Sequence, residues 1–353
     1  MYHKEVTQSH INTASKQLGF TLTPHSISKV QEWTEHLDSL LLENGEIDPS
    51  QRPNSLLPEE IRWITNERKL CKLDFHYVST RYFKVIDEAK NPVLFTFRIP
   101  QQIMLEIWSE HELNRWPIEL IQLKARQLGA STLTELAIAH RVFFHPYTYA
   151  VVASSDPAKS YEMSQMFEFV YDQLPWWLKP ERTKYNNGSL MEFAGIHSKI
   201  SIQHGNKMSG IARGSTPSVV HLTELPDFES PEELVDASLM PAIHPNPKTF
   251  LILESTANGF GNWWYLSWKQ ARRKWPIGRS RLRPVFLPWY TAPDIKPTPT
   301  WRLQHKHLLE NWEPSLIALK HRERAHHYVH NESPILEQLL GKDWTLSDEQ
   351  LLW

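Results

Sequence analysis

The feature that most constrains this chain is a regular alternation, from about residue 100 onward, of short apolar runs with helical patterns. Ile118–Leu123 has the length and composition of a buried strand, and the residues after it carry apolar side chains at helical spacing. Strands that alternate with helices are typical of βαβ units. The sequence therefore predicts an α/β fold with a mostly parallel central sheet flanked by helices. The other predicted strands are Tyr149–Ala153, Lys199–Gln203, Ser218–Leu222 and Thr249–Leu253, and the predicted helices include Gln101–Trp108 and Ser160–Leu174.

The chain of 353 residues divides into three segments. Residues 1–85 predict a helical N-terminal extension, and residues 61–100 read as a helix followed by a strand. Residues 86–290 hold the strand and helix alternation and form the predicted core. Residues 291–353 begin with Pro293, Pro297 and Pro299, which stiffen a linker, and continue as a polar, helical linker or lid segment.

Composition excludes several classes of protein. The chain has 38 Lys and Arg against 40 Asp and Glu, a net charge of -2, so it is not a protein that coats nucleic acid through general positive charge. Cys71 is the one cysteine, which excludes an intrachain disulfide and a zinc site of several thiolates. It also favours a reducing compartment. No apolar run approaches the roughly 18–20 residues that span a bilayer, so no membrane contact is expected.

A glycine-bearing loop follows the first predicted strand of the core. It reads Lys124-Ala-Arg126-Gln127-Leu-Gly129-Ala-Ser131-Thr132 and leads directly into a helix. A strand, a short loop with glycine, and hydroxyls at a helix N-terminus are the parts of a phosphate-binding P-loop, in which the Ser or Thr hydroxyl holds Mg²⁺. Ala130 stands where the usual lysine belongs, and Lys124 can supply that charge from the other end of the loop. The alternative is a basic loop with an ordinary Ser/Thr helix cap.

Two further strands end in polar residues. Ser218–Leu222 leads into Thr223-Glu224, where many P-loop ATPases carry Asp-Glu, so Glu224 is the candidate general base. Thr223 can contact a metal-bound water but brings no charge. Thr249–Leu253 leads into Glu254-Ser255-Thr256-Ala-Asn258, and such strand ends line the ligand crevice of open α/β sheets. The alternatives are a solvated Glu and a plain Asn-Gly turn.

An arginine precedes the Glu224 strand. Arg213 lies in a loop that also contains Gly205, Gly210 and Gly214. An arginine aimed at a phosphate stabilises transition-state charge, in cis or from a neighbouring subunit, so Arg213 is a catalytic candidate. A solvated loop arginine is the alternative.

These three strand ends, with these letters and in this order, resemble the ATPase domain of phage terminase large subunits, the DNA-packaging motors. The flanking segments Pro-Trp289-Tyr290 and Trp344-Thr-Leu-Ser-Asp-Glu-Gln-Leu resemble the same family, and the resemblance covers about residues 70–353. It implies a P-loop NTPase core that binds ATP and Mg²⁺. It also implies double-stranded DNA, a homo-oligomeric ring, a procapsid portal and a terminase small subunit as partners, in the host cell cytoplasm.

The resemblance also implies roles for individual residues. Lys124 and Ser131 would hold phosphates and Mg²⁺, with Gln127, Gly129 and Thr132 in the same loop, and Thr223 and Glu224 on the metal side. Arg126 would be a cis arginine finger and Glu224 the catalytic carboxylate. Ser255, Thr256 and Asn258 would form the motif that couples hydrolysis to movement. Gln101 or Gln102 would read the adenine.

Terminase large subunits normally continue into an RNase H-like nuclease domain. Residues 305–353 hold Asp343 and Asp348 but no strand that carries aspartates, so no nuclease activity is expected in this chain. Two other interpretations stay open. One is another nucleic-acid-dependent P-loop ATPase, and the other is a degenerate nucleotide-binding scaffold, for which Ala130 and Thr223 together argue.

One segment is strongly basic. Residues 269–283 carry seven positive charges and no negative ones, a pattern that can follow DNA phosphates without reading sequence. Contact with a neighbouring subunit and a solvated face are equally open. We call this segment the basic stripe, and its charges are Lys269, Arg272, Arg273, Lys274, Arg279, Arg281 and Arg283.

Overall fold

The computed structural model describes residues 2–43, 56–183, 189–204, 216–292 and 313–352. The N-terminal part is helical, as the sequence predicts, and its helices pack against the core. Two short strands, β1 and β2, follow as an antiparallel hairpin outside the main sheet. The elements are α1 Lys4–Leu18, α2 Ile27–Glu43, α3 Pro58–Leu73, α4 Phe75–Arg81, β1 Lys84–Ile86 and β2 Pro92–Leu94.

A seven-stranded sheet forms the centre of the molecule, in the order β5-β6-β4-β7-β8-β3-β9. All neighbouring pairs are parallel except β5 with β6. The predicted α/β class and the predicted strands of the core are therefore confirmed, whereas the edge strands β5 and β9 were not predicted. The strands are β3 Ile118–Lys124, β4 Tyr149–Ser154, β5 Leu190–Phe193, β6 Ser198–His204, β7 Val219–Thr223, β8 Phe250–Ser255 and β9 Arg283–Leu287.

Helices cover both faces of the sheet, as apolar strands of a parallel sheet require. Successive residues of a strand point to opposite faces, so Leu120 joins one hydrophobic core and Ile121 the other. The first core reaches from Ile11 to Leu336 and includes the N-terminal helices, and the second includes Trp264. The covering helices are α5 Ile99–Leu113, α6 Ala130–Phe144, α7 Pro157–Gln173, α8 Met240–Ala242 and α9 Trp263–Lys274.

The C-terminal segment is helical, as predicted, and lies against the β9 side of the sheet. The Tyr328 hydroxyl donates to the Phe286 carbonyl at 3.3 Å, and the rings of Tyr290 and Trp344 lie 5.6 Å apart. Across the described residues, no helix combines the length and apolarity that crossing a bilayer requires. The helices of this segment are α10 Leu316–His327, α11 Pro334–Leu340 and α12 Asp348–Leu352.

Candidate nucleotide-binding site

The three strand ends that the sequence singled out are neighbours in the sheet. β8 lies between β3 and β7, and all three run parallel. Glu254 pairs with Gln122 on one side and with Thr223 on the other. Because parallel strands end at the same edge of a sheet, Lys124, Thr223 and Ser255 come together at one crevice.

The loop between β3 and α6 has a left-handed backbone at two positions. Gln127 has φ +60° and Gly129 has φ +71°, and Gly129 caps the N-terminus of α6. The positive φ favours glycine at position 129, and a Cβ atom there would lie 2.6 Å from Gln101 Nε2 and displace that side chain. Strained turns of this kind concentrate at functional sites, and the arrangement of strand, turn and helix N-terminus is P-loop-like.

The N-terminus of α5 holds this loop in place. Gln101 Nε2 donates to the Gly129 carbonyl at 2.9 Å, and Gln101 Oε1 accepts from Arg98 N at 2.8 Å. Arg98 Nη1 donates to the Gln127 carbonyl at 2.8 Å. Gln102 Nε2 makes a longer contact with the Phe97 carbonyl, at 3.4 Å. Both ends of the buried Gln101 amide therefore have partners in the protein, and adenine reading by Gln101 or Gln102 stays a prediction.

A fully buried carboxylate, Glu254, lies under the loop, and sequence reasoning missed it. The hydroxyls of Ser131 and Thr223 donate to Glu254 Oε1 at 2.6 and 3.2 Å. Lys124 Nζ lies 3.6 Å from the same oxygen and donates to Ser131 Oγ at 3.1 Å. Gln122 Nε2 donates to Glu254 Oε2 at 3.2 Å. The predicted residues Lys124, Ser131 and Thr223 thus share one partner.

Burial and charge set the protonation of this cluster. Burial alone raises the pKa of Glu254, but the charges of Lys124 and His221 outweigh it and hold the pKa well below its usual range. His221 Nε2 lies 3.1 Å from Glu254 Oε1. Burial raises the pKa of nearby Glu135 to about 7, although the charge of His221 lowers it. Glu254 is therefore ionised at neutral pH, whereas burial shifts Glu135 toward its protonated form.

Glu224 begins the turn that follows β7. It is half-buried and has φ +57°, a left-handed conformation that is uncommon for a residue with a side chain. Asp227 lies in the same turn, and its Oδ1 accepts from Asn258 Nδ2 at 2.7 Å. This contact connects the segment after β8 to the turn that carries Glu224. Ser255 is buried and Thr256 half-buried at the end of β8.

The structure describes some of the remaining predicted site residues but not others. Thr132 is half-buried in the first turn of α6, and Arg126 is exposed on the loop. Arg213, with the glycines of its loop, lies outside the described residues. The catalytic roles of Arg126, Arg213 and Glu224 stay predictions.

The donor atoms at this edge fit Mg²⁺. Hydroxyl and carboxylate oxygens from Ser131, Thr223 and Glu254 meet here, and Mg²⁺ prefers such hard oxygen ligands. In the part of the chain that the structure describes, no three His, Cys, Asp or Glu side chains group to hold a metal by themselves. Mg²⁺ characteristically binds through one or two carboxylates together with substrate phosphates, so binding of Mg²⁺ at this edge stays a prediction that depends on a bound nucleotide.

The basic stripe is partly structural. Arg281 forms a paired contact with the buried Glu119 and also donates to the Met240 and Ile243 carbonyls. Arg283 pairs with Glu110 and Arg272 with Glu332, each at 2.8 Å. Lys269, Arg273 and Arg279 are exposed. These last three are therefore the members of the stripe best placed to meet a partner.

Comparison with known proteins finds solved structures of low similarity. No protein-family model matches the chain. The chain is similar to the large terminase ATPase domain of Thermus phage P74-26, at 12% identity and a TM-score of 0.35, over 56% of this chain and 84% of that one. It is also similar to the large terminase of bacteriophage HK97, at 12% identity and a TM-score of 0.36, over 84% of this chain and 52% of that one. The chain thus spans about half the length of the HK97 protein.

Proposed function

We propose that the chain hydrolyses ATP at the edge of the sheet where β3, β8 and β7 end. The observation that carries this proposal is the cluster around Glu254. It joins Ser131 to a carboxylate 123 residues away along the chain, and it adds Lys124 from the phosphate loop and Thr223 from the strand before Glu224. A hydroxyl, a cation and a buried carboxylate under a left-handed loop are the parts that triphosphate binding needs.

The phosphate loop binds the triphosphate. Backbone N–H groups at the start of α6, from Gly129 to Thr132, donate to phosphate oxygens, and the helix dipole favours their negative charge. Lys124 supplies the positive charge that Ala130 cannot. Arg126 and Gln127 are exposed on the loop, and the role proposed for the Arg126 guanidinium is to stabilise charge that develops on the transferred phosphoryl group.

Glu224 activates the attacking water. Its carboxylate takes the proton as the water oxygen bonds to the γ-phosphorus, and the bond from that phosphorus to the bridging oxygen breaks to release ADP and phosphate. Bound Mg²⁺ neutralises charge on the phosphate oxygens. Ser131, Thr223 and Glu224 are the residues proposed to hold it.

The end of β8 passes the state of the nucleotide onward. Ser255 pairs with Leu123, the residue before Lys124, Thr256 directly follows Ser255, and Asn258 reaches the Glu224 turn through Asp227. Loss of the γ-phosphate beside the Glu224 turn would therefore change the hydrogen-bond partners available to Asn258. This is the physical basis that we propose for coupling hydrolysis to movement.

The work that the ATPase drives is proposed to be translocation of double-stranded DNA into a viral procapsid. The support for this finer proposal is the resemblance of the three motifs to phage terminase large subunits. The same resemblance implies that the chain acts in a ring of subunits, with a portal and a small subunit as partners, in the host cytoplasm.

A degenerate nucleotide-binding scaffold is the second candidate. Ala130 is buried at the start of α6, so no cation can reach a phosphate from the position that lysine usually holds. Phosphate release from ATP by the purified chain, with and without linear double-stranded DNA, distinguishes the two. Hydrolysis that DNA stimulates supports the motor, ATP binding without turnover supports the scaffold, and absence of binding rejects both.

The exposed part of the basic stripe is expected to contact DNA phosphates. Replacing Lys269, Arg273 and Arg279 by glutamine should weaken DNA binding and reduce the slope of log affinity against log salt by up to about 3, since each lost phosphate contact removes about 0.9. The same triple replacement at Lys4, Lys16 and Lys90, which are also exposed, is the control. If both triple variants show the same slope of log affinity against log salt, the stripe does not contact DNA phosphates.

A further inference from the structure

The strand before Glu224 lacks a carboxylate that P-loop chemistry needs. An acidic residue near the loop hydroxyl normally orients that hydroxyl toward the metal side of the phosphates. Thr223 occupies this position on β7 and carries no charge. The negative charge must then come from another residue, because a cation and a hydroxyl alone do not hold each other in a fixed orientation.

The neighbouring strand supplies that charge from within the sheet. Glu254 on β8 pairs in register with Thr223 on β7 and with Gln122 on β3, so it lies midway between the loop strand and the Glu224 strand. It accepts from Ser131 and Thr223 and faces Lys124. A fully buried carboxylate is stable only when it is paired and hydrogen-bonded, and these contacts meet that condition.

We propose that Glu254 is the positioning residue of the site, and that it holds Ser131 and Lys124 in the orientation that binds the Mg²⁺–nucleotide complex. Ser131 donates its hydrogen bond to Glu254 and accepts one from Lys124, so its remaining lone pair is left for the metal side. When Lys124 is held beside Ser131, its charge stays at the start of the loop. This inference rests on the proposed function and adds one residue to it. That residue lies on β8, whereas the carboxylate would be expected on the neighbouring strand β7.

The test is the effect of Mg²⁺ on nucleotide affinity, measured by calorimetry with ADP in the presence of Mg²⁺ or EDTA. Glu254→Gln should lower the gain in affinity from Mg²⁺ by roughly 10–100-fold, the range for lost partners of metal ligands. Thr223→Asp in the same chain should restore part of the gain, because it returns a carboxylate to the cluster. Thermal unfolding of each variant reports whether it is folded.

Glu135→Gln is the matched control. It removes a buried carboxyl group from the same region, one with no hydrogen bond to Ser131 or Lys124 among the contacts of the described residues, so its Mg²⁺ gain should equal that of the parent. An unchanged gain in folded Glu254→Gln would overturn the proposal. If Glu254→Gln does not fold, the double variant decides, and its failure to show any Mg²⁺ gain would equally overturn it. A parent that binds no ADP would instead refute the proposed function.

A different observation bears on where the base of the nucleotide lies. A cleft of about 650 Å³ borders the outer side of the phosphate loop, between Ala125–Gln127 and the C-terminal helices. This volume is in the range of small-ligand pockets, about 300–1,000 Å³. Its other walls come from Trp289, which follows β9, and from side chains of α10 and α12, among them Ile317 and His321.

The order of the strands sets the direction in which the nucleotide must run. The γ-phosphate has to face Glu224 after β7, and β9 is the neighbour of β3 on the opposite side. From β7 to β9 the sheet extends about 14 Å, at about 4.8 Å per strand. The end of the nucleotide away from Glu224 therefore points toward Trp289. The buried Gln101 amide is already engaged at both ends.

We infer that the cleft beside Trp289 receives the base and ribose of the bound nucleotide, with the base against the indole ring. The C-terminal segment then forms one wall of the nucleotide site, through Ile317 and His321. This inference also rests on the proposed function. It names the protein surface that would make the chain bind ATP more tightly than a triphosphate without a base.

The test compares ATP with inorganic tripolyphosphate, which has no base. Trp289→Ala should weaken ATP binding by roughly 10-fold or more, in the range for loss of an aromatic stacking partner, and leave tripolyphosphate binding unchanged. Ile317→Asp changes an exposed side chain on the opposite wall, is not expected to affect folding, and should have the same selective effect. Trp116→Ala, an exposed tryptophan that precedes the amino end of β3, is the control.

The two ligands separate the possible failures. If both folded variants bind ATP as tightly as the parent does, the cleft is not the base site. Equal losses for ATP and tripolyphosphate would contradict the inference in the same way, since they would place the effect at the phosphates. A parent that binds neither ligand would refute the proposed function.

Discussion

Glu224→Gln is expected to abolish ATP hydrolysis while ATP binding is retained. Glutamine has the shape of glutamate but cannot accept a proton from water, and loss of a general base costs about 10²–10⁴-fold in rate. The side chain is half-buried at the first residue of a turn, so the replacement leaves packing and backbone conformation intact. Phosphate release under saturating ATP measures the rate, and calorimetry with ATP measures the affinity.

Glu232→Gln is the control for this change. It makes the same replacement at an exposed carboxylate eight residues further along the chain, and its hydrolysis rate should equal that of the parent. Turnover by Glu224→Gln at the parental rate would show that another group activates the water. Loss of ATP binding in the same variant would mean that Glu224 serves the architecture of the site rather than the chemistry.

Lys124→Ala is expected to lose nucleotide affinity by roughly 10–100-fold, since a charge-assisted hydrogen bond contributes about 1.5–3 kcal/mol. A second effect on folding is expected from the same change. Lys124 is the cation 3.6 Å from the buried Glu254 carboxylate, and breaking a buried ion pair by removing one partner destabilises a protein by about 3–5 kcal/mol. The free energy of unfolding and the dissociation constant for ATP are both to be measured.

The double variant Lys124→Ala/Glu254→Gln separates these two effects. It removes both charges, so the free energy of unfolding should recover most of the loss. The affinity for ATP should stay low, because the cation that meets the phosphates is still missing. Affinity that recovers together with stability would show that Lys124 acts only by balancing Glu254, and an unchanged affinity in the single variant would remove Lys124 from the phosphate site.

Much of the fold could be predicted from the sequence because it depends on local patterns. The apolar run Ile118–Leu123 and the helical spacing after it are properties of neighbouring residues, and the structure has a strand and a helix there. The edge strand β9 was harder to predict, because the basic residues Arg281 and Arg283 at its start are typical of a surface. Their ion pairs with Glu119 and Glu110 explain why a strand can begin among them.

The residues of the candidate site also divide into those that the sequence predicts and those that only the structure reveals. Lys124, Ser131, Thr223 and Glu224 stand in recognisable motifs, so their proximity at the ends of parallel strands could be expected. Glu254 was not among the predicted site residues, because roles were assigned to the polar residues that follow it, Ser255 and Asn258. A carboxylate directly after the apolar run Phe250–Leu253, in the same strand, carried a signal, since such a group must find a cation or hydrogen-bond donors when it is buried.

By itself, the sequence determined the class of fold, the inner strands of the sheet with their helices, and the glycine-bearing loop after β3 for which phosphate binding is predicted. These follow from the spacing of apolar residues and from glycine, which are local. The tertiary structure alone decided that β8 lies between β3 and β7, that Glu254 gathers Ser131, Thr223 and Lys124, and that half of the basic stripe is engaged within the chain. Strand order and the pairing of buried charges arise from contacts between residues distant along the chain, from 31 positions for Thr223 and Glu254 to 162 for Glu119 and Arg281, and no local pattern encodes them.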